Sequence, residues 1–144
     1  MKTLLLFAAL IWASATTKTF ANDVPVNRIV LQSFESTFGR ADAVKWSVVD
    51  NLYKAEFSVG GEATTAFFDP QDGSLIAFSR YLTIGELPRT LQGSLKKAAA
   101  SDLITEVFEV QSDAGTDYYA AVQKQEGTVI LKAASATWNV FKKG

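Results

Sequence analysis

The chain of 144 residues contains no histidine and no cysteine. Histidine is the commonest general base near neutral pH and cysteine the thiol nucleophile, so their absence removes most familiar hydrolase mechanisms and the usual zinc ligands. It also excludes disulfides and a lipid-modified N-terminal cysteine. Three prolines and nine glycines are too few for a linker-dominated or low-complexity chain. Beyond the N-terminus no apolar run approaches the roughly 20 residues that a membrane-spanning helix needs. Basic stripes are missing too: the only basic pairs are Lys96-Lys97 and Lys142-Lys143, read as solvated charges at a helix flank and a chain end. Nucleic acid, which asks for a basic surface that neutralises phosphates, is therefore not the expected partner.

What the chain does have is 48% apolar residues, with ten Phe, four Tyr and three Trp as large packing groups. At this length one domain with a true core is expected. The first residues carry a separate message. Met1-Lys2, an apolar run over 4–12 and the small residues Ala13-Ser14-Ala15 have the layout of a signal peptide. Cleavage is expected after Ala21, with Ala15 as the other candidate. Residues 1–21 hold Lys2 and Lys18 and no acidic residue, so 12 of the 14 basic residues would remain against 15 acidic ones, a net charge near −3. The mature protein is expected to be periplasmic or secreted, without a membrane span.

Asp23-Val24-Pro25 predicts a helix start, with Pro25 in the first turn, where its missing N–H costs nothing. Ile29, Val30, Phe34 and Phe38 continue at helical spacing, and Gly39 marks the end. From Val44 the period becomes two. Val44, Trp46 and Val48 form one half-buried strand, and Tyr53, Ala55, Phe57 and Val59 a second, joined by Asp50-Asn51. Gly60-Gly61 leads to a third strand over 62–68, and the turn 69–73 to a fourth over 74–82. The pattern then restarts. Glu86-Leu87-Pro88 opens a second helix with Leu91, Leu95 and Ala98 or Ala99 on its apolar stripe, and strands follow over 103–110, 118–124, 128–133 and 137–141. Tyr53-x-Ala55-x-Phe57 aligns with Tyr118-x-Ala120-x-Val122, and Ala66-x-Phe68 with Val129-x-Leu131. Both the order of elements and the residues repeat, which predicts an α+β protein of two α-β-β-β-β units, about 22–85 and 86–144, duplicated within a single domain.

Val24-Pro25, Phe34, Phe38, Val44-x-Trp46, Tyr53-x-Ala55-x-Phe57, Phe68-Asp69, Asp72-Gly73-x-Leu75 and Glu86-Leu87-Pro88 together resemble the PepSY-like, β-lactamase-inhibitor-protein-like (BLIP-like) family of exported bacterial proteins. The resemblance covers nearly all of the mature chain and rests on core and turn residues. It implies one extended antiparallel sheet with two helices on one face and the other face open. It further implies a binding surface on that open face, since the inhibitor that names the fold grips an enzyme there and PepSY modules are associated with restraining peptidases. No functional residue carries over.

Asp69, Asp72 and Gly73 have the short oxygen spacing of a calcium loop but lack its full ligand pattern, so a turn with aspartates accepting from backbone N–H groups is expected. Gly60-Gly61 lacks the helix start of a phosphate loop. No catalytic residue, metal or cofactor is expected. The aromatics are more informative. If Phe57, Phe68, Tyr118 and Leu131 face the helices, alternation places Phe67, Tyr119 and Ile130 on the open face beside Thr65 and Ala121, with Phe78 or Tyr81 and Phe141 extending the patch unless a bulge reverses their sides. Phe67, Phe78, Tyr81, Tyr119 and Phe141 are thus the candidate protein-binding residues. The expected function is an exported, non-enzymatic binding module that holds an envelope or extracellular protein, a candidate enzyme or peptidase inhibitor. The alternatives are a small-ligand or peptide sensor of the envelope, with a cleft between the two units, and a structural protein self-associating through its sheet edges.

Overall fold

The structure, a computed structural model, describes residues 24–144. The leader expected over 1–21 and its cleavage site lie outside the described residues. The described chain runs α1 (Arg28–Phe38), β1 (Asp42–Val49), β2 (Leu52–Val59), β3 (Glu62–Phe68), β4 (Leu75–Leu82), a 3₁₀ turn (Ile84–Glu86), α2 (Arg89–Ala99), β5 (Leu103–Ser112), β6 (Gly115–Lys124), β7 (Gly127–Ala134) and β8 (Thr137–Lys143). The eight strands form an antiparallel sheet in chain order, an α+β fold. Of the described residues, 24–80 together with Val110–Gly115 make one compact unit, and Tyr81–Glu109 with Thr116–Gly144 the other.

In the first unit α1 begins later than expected. Asn27 is its N-cap: the side-chain Oδ1 accepts from the Val30 N–H at 3.1 Å, while Nδ2 donates to the Pro70 carbonyl at 2.7 Å. An asparagine that satisfies an orphan N–H and also reaches a distant carbonyl outweighs the proline, and Pro25 lies in the extended approach. Val30 and Phe34 then pack on Ala55, Phe57, Ala66 and Phe68, the residues that alternation in β2 and β3 points toward the helix. Phe34 is the hub, with ring centroids 4.9 Å from Phe57, 5.3 Å from Trp46 and 5.7 Å from Phe38. The β1–β2 hairpin turns on Asp50 and Asn51, with φ of 47° and 65°. Two successive positive φ values match the right-handed strand twist, which is why that dipeptide closes a two-residue hairpin.

In the second unit Leu91, Leu95 and Ala99 of α2, with Leu87 ahead of it, pack on Val107, Ala120, Val122, Val129, Leu131 and Trp138. Pro88 is the N-cap rather than a first-turn residue. The turn before it is held by the Glu86 carboxylate, which accepts from the Thr83 N–H at 2.7 Å. Lys96 and Lys97 stand in the last turn of α2, where cations favour the exposed carbonyls. The Trp138 indole N–H donates to the Leu91 carbonyl at 3.2 Å, a buried link between β8 and the helix. β6 starts at Gly115, three residues before the expected Tyr118, because Asp113 and Ala114 alone make the turn from β5.

Candidate functional site

Side chains of a strand alternate between faces, so the residues next to the helix-facing ones define the opposite face. In the second unit Val107, Ala120 and Leu131 face α2, and their neighbours Phe108, Tyr119 and Lys132 project the other way. Tyr119 is central. Its ring stacks on Phe108 at 5.1 Å and 10°, meets Phe141 edge-on at 5.3 Å and lies 5.7 Å from the Lys132 ammonium. Tyr81 continues the file, 6.3 Å from Phe108. Lys132 is the register partner of Tyr119 across β6 and β7, and its Nζ sits 3.8 Å from Asp117. Phe141 reaches the cluster through a bulge: Leu131 pairs with Val140 and Ile130 with Lys142, leaving Phe141 as the extra residue of β8.

The cluster encloses its own centre. Tyr119 is buried, and its hydroxyl has no hydrogen-bond partner among the described residues. Burial, and secondarily the Asp117 carboxylate, raises the Tyr119 hydroxyl well above the ordinary tyrosine value. It therefore stays protonated and can act as a hydrogen-bond donor over the whole physiological range. Tyr81 instead keeps 51% of its surface exposed and Phe141 is half-buried, so these two present apolar surface outward.

In the first unit Phe67 pairs with Lys54 of β2 and Ala77 of β4, on the side away from α1. All three are buried, and the Lys54 ammonium pairs with Glu56 at 3.0 Å. Phe67 and Tyr119 thus each point away from the helix of their own unit, and both are buried rather than presented, as is Ile130. Around Tyr119 the reason is plain: flanking rings and the Lys132 stem cover it. Phe78 is on the other face. It pairs with Ala66, packs against the α1 core and lies 5.7 Å from Phe38. A bulge at Ile76, between the pairs Phe67 with Ala77 and Phe68 with Leu75, sets this side. Of the expected residues, Tyr81, Tyr119 and Phe141 belong to one aromatic file in the second unit. Sequence reasoning missed Phe108 and Lys132, although Phe108 follows Val107 in a strand and so had to face away from it.

The turn 69–73 behaves as a turn. Asp69 Oδ1 accepts from the Gln71 N–H at 2.8 Å, and Asp72 Oδ1 accepts from the Ser74 N–H at 2.9 Å and hydroxyl at 2.7 Å. Among the described residues no group of three acidic side chains is placed to hold a metal, and no helix is long and apolar enough to cross a membrane.

A sheet of eight antiparallel strands in chain order, with a helix ahead of each set of four, has solved counterparts. The fold is BLIP-like. The chain is similar to a BLIP-like protein from Bacteroides fragilis at 17% identity and a TM-score of 0.69, over 84% of this chain and 86% of that one. It is likewise similar to a candidate periplasmic protein from Bacteroides eggerthii (17% identity, TM-score 0.73, 84% and 89% covered). A DUF2874 family protein from Bacteroides ovatus is a third (17% identity, TM-score 0.71, 84% and 88% covered). No family model and no curated protein sequence matches the chain. At such identities the BLIP-like likeness is one of fold, and function has to be argued from the residues.

Proposed function

We propose that this protein is an exported, non-enzymatic binding module that holds an envelope enzyme, and inhibits it, on the strand face of the second unit turned away from α2. The observation that carries the reading is the aromatic file Tyr81, Phe108, Tyr119 and Phe141 with Lys132 at its side. A buried aromatic centre with half-open aromatic edges is the composition that protein interfaces favour for anchor residues. A leader over 1–21, removed after Ala21, would deliver the protein to the periplasm or beyond, and one structural neighbour is itself described as a candidate periplasmic protein. The repeated order of one helix and four strands supports an origin by duplication of two PepSY-like units, about 22–85 and 86–144. The lack of histidine and cysteine supports a role in binding rather than catalysis.

The test is capture from an envelope extract with the immobilised protein, set against its Tyr81→Asp form. Tyr81 suits the purpose because it is exposed, whereas a carboxylate in place of buried Tyr119 would be paid for in folding. A partner is expected that binds the unaltered protein and binds Tyr81→Asp about thirtyfold more weakly, the loss of one good anchor, with the melting temperature unchanged. Equal capture by both forms would remove the face from consideration.

A further inference from the structure

The second unit also contains a cleft of about 440 Å³ where Leu82 and Ile84 stand opposite Ile104 and Val107. This is within the ~300–1,000 Å³ range of small binding pockets. Leu82, Ile84, Ile104 and Val107 give it aliphatic surface, and among the described residues Glu106 is the only charged one that lines it. The two threonine hydroxyls on the lining are already committed: Thr105 Oγ1 donates to the Ala121 carbonyl at 3.2 Å and Thr83 Oγ1 to Glu86 at 3.1 Å. Glu106 is different. It is half-buried, and among the described residues its carboxylate has neither a hydrogen-bond nor an ion-pair partner. A partly desolvated carboxylate beside aliphatic walls is complementary to a cation carried on an apolar stem, the chemistry of arginine and lysine side chains.

We propose that this cleft is a subsite for a basic side chain of an extended peptide segment, with the cation on Glu106 and the aliphatic stem against Ile84 and Ile104. A peptide rather than a free amine is the occupant because the lining continues onto Tyr81, whose half-exposed ring offers a contact beyond the reach of a single small cation. The cleft shares Tyr81 with the aromatic file, but its carboxylate lies outside that file, so Glu106→Gln tests the subsite and leaves the four rings in place.

The experiment is amide chemical-shift titration of the purified protein with three probes: acetyl-Val-Arg-Val-amide, acetyl-Val-Gln-Val-amide and agmatine. The arginine peptide is expected to give saturable shifts at Ile84, Ile104 and Glu106, to weaken as salt is raised, and to bind Glu106→Gln about tenfold less tightly, as loss of a charged hydrogen bond implies. Equal binding of the glutamine peptide to the unaltered protein would overturn the proposal, as would undiminished binding by a folded Glu106→Gln protein. Agmatine binding as tightly as the arginine peptide would overturn the peptide assignment in favour of a free amine.

Discussion

At Gly73 one hydrogen atom decides whether a turn can lie against a helix. Its φ is 74°, and a Cβ placed there would come within 2.8 Å of the Ile29 carbonyl oxygen in α1, a backbone atom with little freedom to move. Gly73→Ala is expected to cost about 2–4 kcal/mol from the left-handed backbone and the clash together. Gly60→Ala, with φ of 58° but nothing within 4 Å, should cost only about 1 kcal/mol. Thermal unfolding of the two variants separates these terms, and equal losses would refute the clash. The sequence marked Gly73 as a turn glycine but could not show the helix beside it. In the same turn, the Ser74 hydroxyl and then its N–H hold the Asp72 carboxyl below its ordinary value. That contribution is present above the ordinary carboxylate range and is lost as pH falls through the lowered value.

Tyr119 makes the opposite case. Its hydroxyl is buried without a partner among the described residues, so Tyr119→Phe removes a desolvated donor and is expected to leave stability unchanged or slightly higher in denaturant unfolding. The raised value has a second consequence. The folded state holds the proton that the unfolded chain releases near pH ~10, so this contribution is complete below that pH and declines above it. The phenylalanine variant should show a shallower alkaline loss of stability, and an identical loss would mean that other groups dominate there.

Among the elements, β8 depends most on a single side chain. Trp138 fills the second core and ties its indole N–H to the Leu91 carbonyl of α2. Trp138→Ala should cost about 3–5 kcal/mol, the range for a large buried aromatic, while Trp138→Phe should keep most of the packing and lose about 1 kcal/mol with the hydrogen bond. Chemical unfolding checks the ratio; similar losses for both would place the weight on the hydrogen bond rather than the packing. The strands themselves were legible because each is a local pattern: Tyr53, Ala55 and Phe57 alternate with Lys54 and Glu56 whatever lies around them. The helix starts were less so. Asn27 outcompetes Pro25 partly through its bond to Pro70, a partner 43 residues away.

For the whole molecule, the proposed role separates binding from folding. The exposed edges of the aromatic file, Tyr81 and Phe141, are where substitution should alter capture while leaving the melting temperature in place, whereas Phe67 and Tyr119 lie among the buried side chains. The Tyr81→Asp comparison is therefore a whole-molecule measurement: its outcome is read in partner capture, and its control is that the fold survives. Each unit has a strand face turned away from its own helix, and the acidic balance of the chain argues against a polyanionic partner.

By itself the sequence determined which segments are helix or strand, where the hairpins turn and which chemistries are excluded, because periodicity, turn propensity and missing residue types are local or compositional properties. Tertiary structure decided which side each aromatic faces. One unpaired residue reverses a strand, so the bulge at Ile76 places Phe78 with the α1 core and the bulge at Phe141 brings that ring to Tyr119. It also decided that Tyr119 is enclosed and that Glu106, among the described residues, stands without a partner beside the cleft. Enclosure and the lack of a partner are relations between residues far apart in the chain, set by strand register and ring packing, and no local pattern encodes them.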